Sequence, residues 1–309
     1  MNHLATHART ILCIGNAVRD LVFHVKEIPV RGTKTNASQY HVLTGGNAVN
    51  AAIAITHLGG HAIFSGPIGD KNDSTAQDIL DDLARTGISD AGAVRVSGAK
   101  TALSAILLDE DGERTITTYR EGALSQARIS NPDEIVAQCD AIVLDNRYAD
   151  FAMDLCVPAR ALNKLVILDG DRSMPLKNGL LDVATHAIFS ADGLRKTMQM
   201  DDLNEALIAL ARHTRAFVGV TRGPEGLDWI DQTGALRHMS AFRIKAVDTL
   251  GAGDVFHGAF ALFLAEGMDE VEALRLASAS AAIKCTRFGG AFGAPARDEV
   301  LHFVKSQTI

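Results

Sequence analysis

Asp248-Thr249-Leu250-Gly251-Ala252-Gly253-Asp254 joins two stretches of different period. Before it, Phe242-Arg243-Ile244-Lys245-Ala246-Val247 alternates apolar and polar residues, which predicts a strand. After it, Val255-Phe256-His257-Gly258-Ala259-Phe260-Ala261-Leu262-Phe263 reads as a helix. The small residues of the turn let backbone N–H groups approach an anion with no Cβ in the way, and the helix dipole favours negative charge there. Phosphoryl transfer needs such a cradle for the charge on the equatorial oxygens, and a carboxylate within reach of the attacking hydroxyl. Gly251, Ala252 and Gly253 are the candidate anion hole, and Asp254 is the candidate base. A plain strand-to-helix turn, with Asp254 stabilised as a helix-start residue, would use the same letters. The turn is neither a Walker A loop, since no Gly-Lys-Ser/Thr follows, nor a GxGxxG fingerprint.

Outward from this turn, short apolar runs alternate with helical patterns. Strands are predicted at Ile11 to Ile14, Ala62 to Phe64, Ala141 to Leu144, Leu165 to Leu168, Ala187 to Phe189 and Phe217 to Val220. Helices are predicted at Asn47 to Leu58, Thr75 to Thr86, Leu203 to His213, Asp254 to Glu266, Val271 to Thr286 and Asp298 to Lys305. Such alternation predicts a doubly wound α/β fold, a mostly parallel sheet with helices on both faces and ligands beyond the carboxyl ends of the strands. Two stretches break the rhythm. Thr101 to Leu108 and Arg114 to Tyr119 flank Asp109-Glu110-Asp111-Gly112-Glu113, a hairpin signal, and Asp20 to Val25 and Ala37 to Leu43 read as a second strand pair. The chain is therefore read as one domain over 1–309, with a small antiparallel β lid contributed by about 20–43 and 98–120.

Bulk properties narrow the partners. The 309 residues are 47% hydrophobic and 22% charged, with net charge −7 and no long run of either sign. A nucleic-acid or anionic-membrane partner would leave a basic footprint, so neither is expected. Cys13, Cys139, Cys156 and Cys285 form no CxxC pair, which argues for a reduced compartment without zinc. Met1 to Arg9 lacks the apolar core of a signal peptide, and no apolar run approaches the ~20 residues of a membrane span. The expected location is the cytoplasm.

Near the amino end, Gly45-Gly46-Asn47-Ala48-Val49-Asn50-Ala51-Ala52 opens a helix. Its glycines let a flat polar ligand lie on backbone, and Asn50 offers both donor and acceptor, although a turn with asparagine at a helix start would look the same. This stretch and Asp248 to Asp254 resemble the two signatures of the PfkB (ribokinase-like) carbohydrate kinases, in the right order, and the likeness runs over nearly the whole chain. The resemblance implies an ATP-dependent sugar kinase using Mg2+. It places Asp20, at the end of Gly15-Asn16-Ala17-Val18-Arg19-Asp20, with Gly45, Gly46 and Asn50 on the sugar. It assigns the nucleotide to Thr221, Gly223 and Gly226 of Thr221-Arg222-Gly223-Pro224-Glu225-Gly226, and to Lys284 and Gly290 within Ala282 to Ala291. In many members this last region also helps bind K+. Pairing of such lids implies a homodimer. Many members carry Asn-x-x-Glu near magnesium, whereas this chain has Ser190-Ala191-Asp192-Gly193, leaving Asp192 or Asp169 as substitutes. The metal ligands stay unassigned.

Arg147, after the strand Ala141 to Leu144, and Lys34, beside the lid, are candidate cations for an anionic substituent on the substrate. Arg120 is a third cation, read as a solvated surface charge. Leu168-Asp169-Gly170-Asp171, His186 to Ser190, Gly253 to Gly258 and Lys284-Cys285-Thr286-Arg287 resemble the sulfofructose-kinase branch, which implies a sulfonated ketohexose such as 6-deoxy-6-sulfofructose. Thr118 before Tyr119 departs from that branch's asparagine. Pentose or nucleoside kinases and a non-catalytic binding homologue are the alternatives; aromatic residues, at 5%, offer few surfaces for stacking a base.

Overall fold

Side chains on the central strands alternate between two apolar clusters. Ile11 and Cys13 enter one, with Val143, Ile167 and Ile188. Leu12 and Ile14 enter the other, with Ile142, Leu144, Leu168 and Phe189. A strand buried on both faces is covered by helices on both faces, and the computed structural model, which describes residues 8–110, 114–177 and 179–307, has that form. The segment Met1 to His7 and the Asp111-Gly112-Glu113 part of the expected hairpin turn lie outside the described residues.

The chain begins with Thr10–Ile14 (β1), Val18–His24 (β2), Gln39–Gly45 (β3), Asn47–His57 (α1), His61–Ile68 (β4), Ser74–Arg85 (α2), Ser89–Arg95 (β5), Ala102–Leu108 (β6) and Arg114–Tyr119 (β7). Pro132–Ala137 (α3), Ala141–Asp145 (β8), Ala149–Ala161 (α4), Leu165–Gly170 (β9), Leu180–Val183 (α5), His186–Ser190 (β10), Ala191–Met198 (α6) and Leu203–Ala211 (α7) follow. Phe217–Thr221 (β11), Leu227–Ile230 (β12), Leu236–Met239 (β13), Ala252–Ala265 (α8), Glu270–Cys285 (α9) and Arg297–Ser306 (α10) complete it.

The large sheet has the order β13-β12-β11-β10-β9-β8-β1-β4-β5 and is parallel except at β12 and β13. The small sheet, β3-β2-β6-β7, is antiparallel except where β2 runs alongside β6. Arg19 anchors it to α2, bonding both Thr44 of β3 and Asp82. Among the described residues no helix is long and apolar enough to cross a membrane.

One expected strand is absent. Phe242 to Val247 has the right alternation but no strand to pair with; Phe242 packs on Phe303 of α10 at 5.3 Å, and the segment ends with Val247 N–H on the Cys285 carbonyl at 2.7 Å. The antiparallel β12 and β13 cap that edge of the sheet instead.

Helices α1 and α8 pack side by side below the crevice. A Cβ on Gly258 would lie 2.5 Å from the Ala51 carbonyl oxygen. Gly258→Ala should gain about 1 kcal/mol in helix propensity. Forcing two backbones apart costs typically 1–3 kcal/mol. The collision is with main chain, so the strain should win: urea denaturation should show a less stable variant.

Candidate active site

Strand order reverses around β1, whose neighbours are β8 on one side and β4 on the other. Ligand crevices of α/β sheets lie beyond the strand ends at such a point. Here β8 ends in Asp145, whose Oδ2 accepts the Asn16 N–H at 2.7 Å and whose Oδ1 accepts the Arg147 N–H at 2.9 Å. This buried carboxylate ties the exits of β1 and β8 together.

The turn into α8 reaches the same crevice. Gly251 caps the helix at φ 76°, a left-handed conformation that only glycine adopts without strain. The first helical bond runs from Val255 N–H to the Gly251 carbonyl at 2.9 Å. The amides ahead of Val255 therefore receive no carbonyl from the helix, although Ala252 N–H bends back to Thr249 at 3.3 Å. Gly253 borders open space. Asp254, in this first turn, accepts Asn50 Nδ2–H at 2.7 Å. Asn50 rides on α1, which the Gly258 contact holds close.

The small sheet supplies the opposite wall. In its register Asp20 pairs with Leu43 and Ser104, and Val18 with Gly45. Side chains directly opposite share a face, so Asp20 and Ser104 stand together. A Cβ on Gly45 would come within 2.6 Å of Asp20 Oδ2 and 3.6 Å of Asn50 Oδ1, so only a glycine leaves room for these polar groups. Gly46 caps α1 against the Asn16 main chain. Asp20, Gly45, Gly46, Asn50 and Asp254 thus converge from β2, β3, α1 and α8.

The carboxylates there resist ionisation. Burial pushes Asp20 up to about 6; Ser104 opposes the shift and the Asp254 charge adds to it. Burial also raises Asp254, with Asp171 adding, while Asn50, Arg147 and His257 favour its charged form. Asp169, at the end of β9, is raised by burial and eased by His257. His257 is itself pinned, Nδ1 to the Gly253 carbonyl at 2.8 Å and Nε2 to the Ile188 carbonyl at 3.1 Å, with Asp169 Oδ2 3.6 Å from Nδ1. Asn47 Nδ2–H spans Asp169 at 3.3 Å and Asp171 at 3.4 Å.

Several expected residues stand elsewhere. Arg147 holds Asp171 with two bonds, at 3.2 and 2.7 Å, so its fork is committed to an internal carboxylate rather than open to a substrate anion. Lys34 is exposed in the connection between β2 and β3. Thr221 ends β11 with its hydroxyl donating to the Phe189 carbonyl at 3.4 Å, and Gly223 and Gly226 bracket a single tight turn beyond it. Gly290 donates its N–H to Asp248 Oδ2 at 3.1 Å. Lys284 is fully buried with its ammonium on the Asp248 carbonyl at 2.7 Å, so it cannot reach out to a nucleotide.

Asp192 is no substitute for the missing Asn-x-x-Glu, because it is exposed and paired with Lys196 at 2.6 Å, while Ser190 merely caps α6. Among the described residues no three His, Cys, Asp or Glu side chains form a group that could hold a metal ion. Asp171, Asn47, Ser104 and Asp145 are the neighbours that the sequence reading left unassigned. The Asp-Gly-Asp at the end of β9 was the available signal for the first.

Comparison with known proteins agrees with this fold. Ribokinase of Bacillus subtilis is 28% identical over 296 residues, covering 94% of this chain and 98% of the relative. A solved Agrobacterium tumefaciens protein, provisionally described as a ribokinase, is 37% identical with a TM-score of 0.92, covering 97% of this chain and 98% of its own. Fructokinase of Xylella fastidiosa, solved with bound ATP, is 26% identical with a TM-score of 0.79, covering 97% and 99%. Residues 8–297 match the profile described as "pfkB family carbohydrate kinase", a span that takes in both glycine-rich helix starts and the small sheet. The chain belongs to the pfkB family of carbohydrate kinases.

Proposed function

We propose that this kinase transfers the γ-phosphoryl group of MgATP to a primary hydroxyl of a sugar, with Asp254 as the base. The observation that carries this reading is the bond from Asn50 to Asp254 Oδ2, made across 204 residues of chain at a glycine-rich helix start. That bond occupies one carboxylate oxygen and leaves Oδ1 to accept the proton of the attacking hydroxyl. As that proton leaves, the hydroxyl oxygen bonds to the γ-phosphorus, and the bond to the β,γ-bridging oxygen breaks to release ADP. The amides of Gly251 to Gly253 face the charge that builds on the equatorial oxygens. Asp20, with Gly45 and Gly46 backing it, would hold neighbouring sugar hydroxyls. Thr221, Gly223, Gly226 and Gly290 would line the nucleotide side. Magnesium enters with ATP as part of the substrate, and Asp169, buried at the end of β9, is the remaining candidate for the missing carboxylate. The reading places the enzyme in the cytoplasm, where ATP is at hand and its four free cysteines stay reduced.

A finer reading, an anionic ketohexose such as 6-deoxy-6-sulfofructose, is favoured by Arg120 rather than Arg147, whose Nε is likewise without a partner but whose two Nη groups are both held by Asp171. Arg120 follows the last strand of the small sheet beside Tyr148, whose hydroxyl is pushed up by burial with Arg120 opposing the shift, and the buried Nε of Arg120 has no hydrogen-bond partner. An unpaired buried donor of this kind gains from an incoming anion. The small sheet also supports a homodimer. Its face opposite Asp20 carries Leu21, Phe23, Tyr40, Val42 and Tyr119, and Tyr40 and Tyr119 are each about half exposed.

Asp254→Asn should keep ATP affinity and lower kcat by about 10²–10⁴-fold; equal turnover would sink the assignment. Because the wild-type base must be ionised and burial raises it, kcat/KM should fall on acidification at a pH above the ordinary carboxylate range. A raised acid binds its proton better in the fold than out of it, so it costs stability at neutral pH and less as pH falls. The variant should therefore melt higher than wild type at pH 7, and the gap should narrow as the pH falls towards the ordinary carboxylate range. In thermal-shift assays with ATP, 6-deoxy-6-sulfofructose should outrank fructose, ribose and adenosine, and Arg120→Ala should abolish that preference; equal loss for neutral and anionic sugars would reject the anion site. Tyr40→Glu should convert a dimer to monomer by light scattering, and an unchanged mass would reject the pairing of small sheets.

A further inference from the structure

Lys284 sits in the last turn of α9 with none of its surface exposed. Its Nζ lies 2.7 Å from the Asp248 main-chain carbonyl and 3.2 Å from Asp248 Oδ2. Burying an ammonium is costly unless oxygens replace the water it gives up. Here one residue supplies both a carbonyl and a carboxylate. That carboxylate is also fully used: Oδ1 accepts Leu250 N–H at 2.8 Å, and Oδ2 accepts the amides of Gly289 at 3.2 Å and Gly290 at 3.1 Å. The Cys285 carbonyl, one residue on from the lysine, accepts both Val247 N–H at 2.7 Å and Asp248 N–H at 3.1 Å. Asp248 is thus the knot joining the start of the α8 turn to the loop after α9. Burial alone would raise its carboxyl, but the Leu250 amide, the Lys284 charge and the Gly290 amide together hold it below the ordinary carboxylate value.

The resemblance noted above implies a potassium ion in this region. A bare monovalent cation wants the same partners, carbonyl and carboxylate oxygens in a pocket closed to water. Ammonium and potassium are alike in charge and size, so one set of oxygens serves either but not both together, since two positive charges at contact distance repel strongly where water is excluded. The residues present therefore do not fit a potassium ion at Asp248. We infer that Lys284 is a built-in monovalent cation, tethered to α9, that holds the turn carrying Gly251 to Gly253 in place and makes this kinase independent of dissolved potassium. Lys284 acts through Asp248 and is a positioning residue. The inference rests on the kinase reading for its catalytic consequence but not for its structural one.

Melting temperature and the Kd for a non-hydrolysable ATP analogue, both without sugar, test it in KCl, NaCl and choline chloride at equal ionic strength. Wild type should change by less than about two-fold in Kd across the three salts. Lys284→Ala should melt lower and bind the analogue more weakly in choline, and recover both in KCl or NH4Cl. A wild-type protein whose melting point and analogue affinity rise specifically with potassium would overturn the inference. So would a Lys284→Ala protein equal to wild type in choline. Should Lys284→Ala fail to fold, the wild-type salt series decides alone. Lack of phosphoryl transfer in every salt would count against the kinase reading and leave these two readouts standing.

Discussion

Four carboxylates, those of Asp20, Asp169, Asp171 and Asp254, share one end of a buried parallel sheet, and the site is organised around keeping them there. Asp20, Asp169 and Asp254 would each ionise more readily alone in water. Held together they repel, and burial strips the solvent that would screen them. The surrounding groups read as the answer to that problem. Arg147 grips Asp171, Asn47 bridges Asp169 and Asp171, His257 stands beside Asp169, Ser104 opposes the burial of Asp20, and Asn50 holds Asp254. Burial, with the Asp171 charge adding to it, is what gives Asp254 a stronger pull on a proton than an ordinary aspartate has.

The scaffold divides this work by stiffness. Arg147, Asp169 and Asp171 come from strand ends of the large sheet, whose residues are buried on both faces. Asp254 and Asn50 come from two helices locked by backbone-to-backbone contact at Gly258. Asp20 alone comes from the small sheet, joined to the rest through the Arg19–Asp82 pair and through His24 and His41 against Phe288. The substrate-facing wall is thus the part with the fewest ties, and the charged chemistry sits on the part with the most.

Much of this was legible in the sequence because local rules dominated locally. Apolar runs with no polar gaps marked the central strands, and Gly-rich helix starts at Gly45 and Gly251 marked both halves of the site. Legibility failed where the outcome depended on distant partners. Phe242 to Val247 has a strand's alternation, yet pairing needs a neighbouring edge, and β12 and β13 hold that one. Arg147 looked free because nothing in its own segment reveals that Asp171, 24 residues on, would take both arms of its fork. Lys284 looked like a nucleotide ligand because a lysine's direction is set by tertiary packing, and this one is turned fully inward.

The register of the small sheet has an evolutionary consequence. Asp20 and Ser104 stand on one face, and Leu21, Phe23, Tyr40 and Val42 on the other, so odd and even positions of the same strands answer to different selective pressures. On the proposed pairing of small sheets, residues that shape sugar choice can drift without disturbing that pairing, and those that shape the pairing can drift without touching chemistry. Insertion of one residue within β2 would exchange the two sets at a stroke. Point substitution is therefore the open route by which such a kinase changes its sugar, and length change within these strands is the closed one.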